Sequence, residues 1–532
     1  MQRARLAFLS FLFPALLLAA SAVSATSTGT YWHTPNQTLW VYDKTPELGI
    51  GSHEFGGSDV PVYRDLQVRL VRFTLYWSLG DDGTNYQEAY LQAFASKVYA
   101  ATHDGGVRNE IEPVIVVHSA PGVFNFQNRY NAYNRFALFM GTVATRCPDV
   151  KFWELWNEQD AGATNLFGYQ DGMNTRSQGY YYAEMLRQAY PAIKQANPRA
   201  WVLVGGLVGV SNWDFIRGIY DGNGSDSFDF MAIHTYGSLA QVNSPTPDGF
   251  RTRAQNAIAA MSEGGRSTEA SRPLWNTEFG ASSVDYTLAW NLPHINGSNP
   301  NDGTAFDEHQ RQWWQDALDI HQTSGLYTKI LGYQLRAGVT DAPCFGDPSC
   351  AHYIRVNSQP SLDPDDYGFG LFRKDGVTKR PTYTYVKNRN FNVGMVSQRT
   401  ENVVVYAPGL RPVGYSYSAS GGNVTIYSVP INRMAPTVIQ FQSATAGCGE
   451  ASCVPAQAAY ISHFTGLGCT GTESYYLPYD GYAYQCRPWN GQGQCGTIRR
   501  TVTNYSYRDS TGTCRDAWKS GNTLSDFVTV YR

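Results

Sequence analysis

The 532-residue chain has no dense block of Lys or Arg, no H-E-x-x-H pair and no paired C-x₂-C knuckles. Without a basic block, and with a net charge of −3, nothing is in place to neutralise phosphates, which excludes nucleic acid as a partner. Beyond the N-terminal leader there is no run of about 20 apolar residues, which excludes stable membrane insertion. The missing metal motifs leave no metal centre to expect. A nucleotide fingerprint is missing too, since Gly49-Ile50-Gly51 continues without a third glycine or a helix, so no cofactor is implied. Neither an internal repeat nor a low-complexity tract is present, which leaves ordinary globular packing.

What is present begins at the N-terminus. Arg3 and Arg5 precede an apolar stretch from Leu6 to Ala20, followed by Ser21-Ala22-Val23-Ser24-Ala25. This order of positive charge, apolar core and small residues predicts a signal peptide over 1–25, cleaved after Ala25, and a secreted protein, extracellular or periplasmic. Export makes disulfides the natural reading of nine cysteines. Cys448, Cys453, Cys469, Cys486, Cys495 and Cys514 crowd the last fifth of the chain, and Cys344 and Cys350 share one loop. Cys147 is left over near the end of a helical stretch and reads as a buried thiol rather than a nucleophile. Aromatic residues make up 14%, including 36 Tyr and 13 Trp, enough to fill a core and still offer flat faces to sugar rings.

The chain is too long for one ordinary core and predicts two domains, one of them large. From Leu48 to Lys387 short apolar runs alternate with amphipathic stretches, the pattern of βα units around a parallel sheet. The runs are Leu48–Ser52, Leu70–Leu75, Glu112–His118, Lys151–Trp156, Trp201–Gly205, Phe228–His234, Pro273–Thr277 and Lys329–Leu335. Helical spacing recurs in Glu88–Ala101, Tyr130–Ala144, Gln178–Gln195, Asn212–Tyr220, Arg253–Ser262 and Asp307–Gln322. Eight strands predict an α/β fold, a (β/α)₈ TIM barrel over 26–391. After Phe391 short strands follow at Asn402–Tyr406, Tyr415–Ser418, Asn423–Val429 and Thr437–Phe441. The prediction is a β-strand region over 392–445, packed on the barrel, then a Cys-rich, all-β, disulfide-stapled C-terminal domain over 446–532.

Active sites in this fold lie where the strands end, so polar residues closing an apolar strand are the first candidates. The fourth run closes with Trp156-Asn157-Glu158 and the seventh with Thr277-Glu278-Phe279-Gly280. Two carboxylates across one barrel mouth are the pair that glycoside hydrolysis needs: one acid for the leaving oxygen, one carboxylate for the anomeric centre. Glu154, sharing parity with Glu158, reads as a structural residue paired with an arginine inside the barrel.

These motifs, with His234-Thr235-Tyr236 closing the sixth run, Val71-Arg72-Phe73, Val117-His118-Ser119 and Gly368-Phe369-Gly370-Leu371-Phe372-Arg373-Lys374-Asp375-Gly376, resemble clan A of the glycoside hydrolases. The resemblance covers residues 45–390 and is nearest to family 39, which includes β-xylosidases, iduronidases and bacterial endoglycosidases acting on exopolysaccharide. It implies a retaining glycosidase with Glu158 as acid/base and Glu278 as nucleophile. It also implies that Asn157 binds a sugar hydroxyl, that Arg72 and Tyr236 support Glu278, and that His118 and His234 line the sugar subsite. Many clan members carry a tryptophan platform at the end of strand eight; this chain has Gly332-Tyr333-Gln334 there. Trp153 and Trp156 are expected to give Glu158 apolar neighbours, and Arg72 to give Glu278 a cationic one. The implied partner is an oligo- or polysaccharide, acted on by a monomer. Competing readings are a transglycosylase, and a carbohydrate-binding or wall-associated protein on a catalytically weak barrel.

Overall fold

The computed structural model describes residues 28–33, 38–52, 55–162, 165–237, 247–281, 304–336, 369–372, 376–393, 395 and 398–443, together with seven short strands between 462 and 529. Eight parallel strands form one sheet: Glu47–Gly51, Leu70–Tyr76, Glu112–His118, Phe152–Asn157, Trp201–Gly206, Met231–Gly237, Leu274–Ala281 and Lys329–Gly332, here barrel strands one to eight. Strand one pairs with strands two and eight. Strands five and six close the circle through the parallel bridges Leu203 to Phe230 and Leu207 to Ile233. The predicted barrel is therefore present, with strand ends shifted: strand six runs from Met231 to Gly237, strand seven continues to Ala281, and strand eight stops at Gly332. The expected helix Asn212–Tyr220 is a left-handed turn through Ser211, Asn212 and Trp213 before a helix over Asp214–Asp221.

Strand burial explains why apolar runs rather than alternation marked these segments. Trp201–Gly206 is buried at every position, as a parallel sheet covered on both faces requires. The helix Thr175–Ala196 begins where the Asn174 side chain accepts from the Ser177 N–H at 2.8 Å, and buries Tyr182, Met185, Leu186, Ala189 and Ile193 against the barrel. Cys147, at the end of the helix Arg129–Arg146, is buried, and burial pushes its thiol up to about 12. It is thus kept from the thiolate form that nucleophilic chemistry needs.

Two strands that the periodicity did not suggest, Thr28–His33 and Thr38–Asp43, join Thr437–Ser443 and Leu410–Pro412 in an antiparallel sheet. A second sheet, of Gln398–Tyr406, Asn423–Asn432 and Tyr417–Ser420, faces it. Period-two alternation along Thr38–Asp43 serves both neighbours at once. Leu39 and Val41 enter the sandwich core with Val403, Val424 and Phe441. Trp40 and Tyr42, with Tyr31, meet Leu70, Phe152, Leu203 and Trp275 at the barrel floor. The tail strands include Tyr482–Arg487 and Gln494–Arg499, which pair antiparallel with Cys486 opposite Cys495. Cys344, Cys350, Cys448, Cys453 and Cys469, and with them most of the disulfide expectation, lie outside the described residues.

Floor and sandwich are also joined by a buried ion triad. Glu47 accepts from Lys329 at 2.6 Å and from Arg433 through Nε at 3.1 Å and through Nη2. Burial opposes the charge of Glu47, but the two cations outweigh it and hold the carboxyl at about 2. Arg433→Met should destabilise the fold by about 3 kcal/mol, because it strands part of a buried charge. Adding Glu47→Gln should cost less than the sum of the two single changes. Thermal unfolding of the three variants checks this; strict additivity would contradict it.

Candidate active site

Parity along the strands decides what reaches the barrel mouth. Leu70 points into the barrel floor, so Arg72, two residues on, points inward one layer higher. The same step takes Phe152 to Glu154 and Ala232 to His234 and then Tyr236. Strand seven would send Glu278 to the opposite face from Trp275. A β-bulge prevents this: Ile233 pairs with Asn276 and His234 with Glu278, leaving Thr277 as the extra residue. The bulge re-aims Glu278 into the mouth. Strand four ends by another device. Trp156 (φ 84°) and Glu158 (φ 48°) both adopt left-handed backbone. The Trp156 indole leaves the barrel line and packs on Trp77, Phe136 and Phe167.

Arg72 is the hub. It is 4% exposed and donates through Nε to Glu154 at 2.6 Å, through Nη1 to Glu278 at 2.5 Å and through Nη2 to Asn157 at 2.8 Å. Glu154 also accepts from Thr277 Oγ1 at 2.8 Å and from the Gly206 N–H at 2.9 Å. Burial would raise the Glu154 carboxyl, but Arg72 and His234 hold it at about 2. It is the partner of an arginine inside the barrel, as expected for a structural residue that shares its parity with Glu158. The second oxygen of Glu278 accepts from the Tyr236 hydroxyl. Burial and the Glu278 charge keep that hydroxyl protonated well above its usual range.

His234 sits between the acids. Its Nδ1 lies 2.8 Å from Glu158 Oε1 and 3.6 Å from Glu278 Oε2, and Nε2 lies 3.2 Å from Thr277 Oγ1. Gly206 makes the room, since a Cβ there would come within 1.9 Å of His234 Nε2. Burial disfavours a charged imidazole, yet the charge of Glu278, the Glu154 carboxylate 3.8 Å from Nε2 and the hydrogen bond to Glu158 outweigh it, raising His234 to about 9. The folded value stands above the ordinary 6.5, so this stabilisation is full below pH 6.5 and lost as pH rises through about 9. Melting temperatures between pH 7 and 10 should therefore fall more steeply for the wild type than for His234→Gln. Parallel curves would contradict the charged imidazole.

The structure thus brings Glu158, Glu278, Arg72, Asn157, His234 and Tyr236 into one network. His118, at the end of strand three, sits on the same rim against the Tyr76 ring (5.2 Å) and Ser119 Oγ (2.8 Å). Trp153 and Trp156 were expected beside the Glu158 carboxyl. Instead they are buried in the core between strands and helices: Trp153 faces outward by strand parity, and Trp156 is turned out by its left-handed backbone. Tyr333 meets Tyr236 and Phe369 with ring centroids 5.7 and 5.8 Å away, an aromatic trio at the end of strand eight.

One oxygen from each of Glu158 and Glu278 and one ring nitrogen of His234 lie within 4.8 Å of one another. Three such atoms are a spacing a cation could use. Their other commitments disfavour it, since Arg72 brings a fixed positive charge to Glu278 and His234 itself carries a proton.

No protein-family model matches the chain, and no curated protein matches it. Among solved structures it is similar to a family 39 glycoside hydrolase from the gut symbiont Bacteroides cellulosilyticus WH2, at 16% identity over 78% of this chain and 89% of that one, with a TM-score of 0.42. It is also similar to a broad specificity endoglucanase from Clostridium acetobutylicum, at 9% identity over 65% and 97% of the chains and a TM-score of 0.44. A third is endo-glycoceramidase II from Rhodococcus sp., at 12% identity over 77% and 99% of the chains and a TM-score of 0.42.

Proposed function

We propose that this protein is a secreted retaining glycoside hydrolase that cleaves O-glycosidic bonds of an oligo- or polysaccharide. The observation that carries the reading is the approach of Glu158 and Glu278 to within 4.8 Å through their nearest oxygens. Retaining enzymes hold their carboxyl groups about 5–5.5 Å apart, whereas inverting enzymes leave about 6.5–9.5 Å for a water. The settings of the two acids divide the roles. Arg72 and Tyr236 complement an ionised Glu278 on both oxygens, which suits the nucleophile. The Glu158 side chain is 32% exposed against 7% for Glu278, which suits the residue that meets the leaving group and then the incoming water.

In the first step Glu278 forms a bond to the anomeric carbon as the glycosidic C–O bond breaks, and the proton on Glu158 passes to the departing oxygen. In the second, Glu158 takes a proton from water, the hydroxide oxygen bonds to the anomeric carbon, and Glu278 leaves as carboxylate. Arg72 and Tyr236 hold that carboxylate in place through both steps. The arginine-flanked apolar leader supports export.

The test is a panel of aryl glycosides and isolated polysaccharides, with the first product's anomeric configuration read by NMR. Hydrolysis of at least one substrate with retained configuration is expected. An inverted first product would contradict the proposed roles.

A further inference from the structure

Glu158 carries its carboxyl on backbone that resists the conformation it holds. At φ 48° it lies in the left-handed region, where the Cβ of any residue but glycine crowds the neighbouring backbone. Such a conformation persists only when the surroundings over-determine it. Here the surroundings are strand five and the loop that follows it. The Glu158 N–H donates to the Gly206 carbonyl at 2.9 Å, and Gln159 Nε2 donates to the Gly205 carbonyl at 3.0 Å. Gly205 lets the two segments approach this closely, since a Cβ there would stand 2.5 Å from the Trp156 carbonyl oxygen.

Asp160 makes a further tie. It is 4% exposed and lies in the short 3₁₀ turn Gln159–Ala161 that Glu158 opens. Its carboxylate accepts from three successive N–H groups of the loop after strand five: Val208 at 3.0 Å, Gly209 at 2.7 Å and Val210 at 3.2 Å. Both carboxylate oxygens are engaged, in hydrogen bonds that the negative charge strengthens. That loop is anchored in turn. Arg253, on the helix Pro247–Ser262, donates to the Val208 carbonyl, and its guanidinium lies 5.5 Å from the centre of the Trp213 ring. Gly209, at φ 72°, packs so closely on the same ring that a Cβ would stand 2.5 Å from it.

We propose that Asp160 is a positioning residue for the acid/base: by clasping the loop after strand five it holds the left-handed turn that aims the Glu158 carboxyl at the barrel mouth. The proposal rests on the glycosidase reading and deepens it. His234 touches the tip of the Glu158 side chain at 2.8 Å, but one contact at the tip does not place a flexible side chain whose backbone is free to turn. Glu278 has no share in the clasp, because Arg72 and Tyr236 hold it on strand seven. Loosening the clasp therefore misplaces the proton donor and leaves the nucleophile where it was.

The experiment compares Asp160→Asn, which turns an amide NH₂ toward the N–H groups, with wild type on an unactivated saccharide and on the dinitrophenyl glycoside of the same sugar. Each protein is assayed well below its melting temperature. On the saccharide kcat/KM should fall about 10- to 10²-fold, the scale of a displacement near 1 Å. On the dinitrophenyl glycoside, whose leaving group needs no proton, it should stay within about twofold of wild type. Added to Glu158→Ala, Asp160→Asn should change neither value by more than about twofold, since its effect runs through a carboxyl already removed. Asp160→Ser, which brings no amide against the N–H groups, replaces the asparagine variant if that one does not fold, and should show the same selective loss. Equal losses on both substrates, no loss on either, or a full further loss in the Glu158→Ala background would overturn the positioning role while leaving the glycosidase reading intact. A wild type inactive on both substrates would overturn that reading and this one with it.

Discussion

Glu278→Gln should abolish turnover on every glycoside, activated or not, lowering kcat by roughly 10⁴–10⁶, the scale seen when a covalent nucleophile is removed. An amide oxygen cannot form the glycosyl ester through which the proposed double displacement runs. The change is nearly isosteric, and Arg72 keeps Glu154 as its principal partner through Nε at 2.6 Å, so the barrel should stay folded. Tyr236 retains an acceptor in the amide oxygen. Circular dichroism and melting close to wild type, with kcat lost on both dinitrophenyl glycosides and natural substrate, would meet the expectation. A variant that keeps even a hundredth of its activity on the dinitrophenyl glycoside would remove Glu278 from the nucleophile's role.

Glu158→Ala should give the opposite signature, a loss that depends on the leaving group. On unactivated saccharides the missing proton transfer should cost roughly 10²–10⁴ in kcat/KM. On a dinitrophenyl glycoside the leaving phenolate needs no proton, so kcat/KM should stay near wild type. Deglycosylation would then limit kcat, because no base remains to take a proton from water. Azide carries its own charge and needs no base, so it should restore kcat and yield a glycosyl azide of retained configuration. The partial exposure of Glu158, 32% at the side chain, leaves room for azide to enter. Equal losses on activated and unactivated substrates would contradict the acid/base assignment.

The eight barrel strands were legible because a parallel sheet buried on both faces writes itself as apolar runs, and the two glutamates because each closes such a run. Arg72 and Tyr236 needed the family resemblance, since an arginine within Leu-Val-Arg-Phe and a tyrosine after His-Thr are unremarkable by themselves. The bulge at Thr277 left no signal: period-two reading would turn Glu278 away from Trp275, and only the pairing of strands six and seven shows the added residue. Left-handed backbone at Trp156 was equally silent, because no glycine marks it, and the expectation that its indole flanks Glu158 failed there. Strand Thr38–Asp43 pairs on one side with Thr28–His33 and on the other with a strand near residue 440, and over that second distance local pattern carries no information.

The most direct test of the account is to look for the covalent intermediate. Glu158→Ala should be mixed with a dinitrophenyl glycoside that the wild type hydrolyses, quenched in acid, and its intact mass and proteolytic peptides measured. A mass increase of one glycosyl unit, localised to the peptide carrying Glu278 and discharged by azide, is the predicted result. No adduct together with a first product of inverted configuration, or an adduct on any other residue, would contradict it.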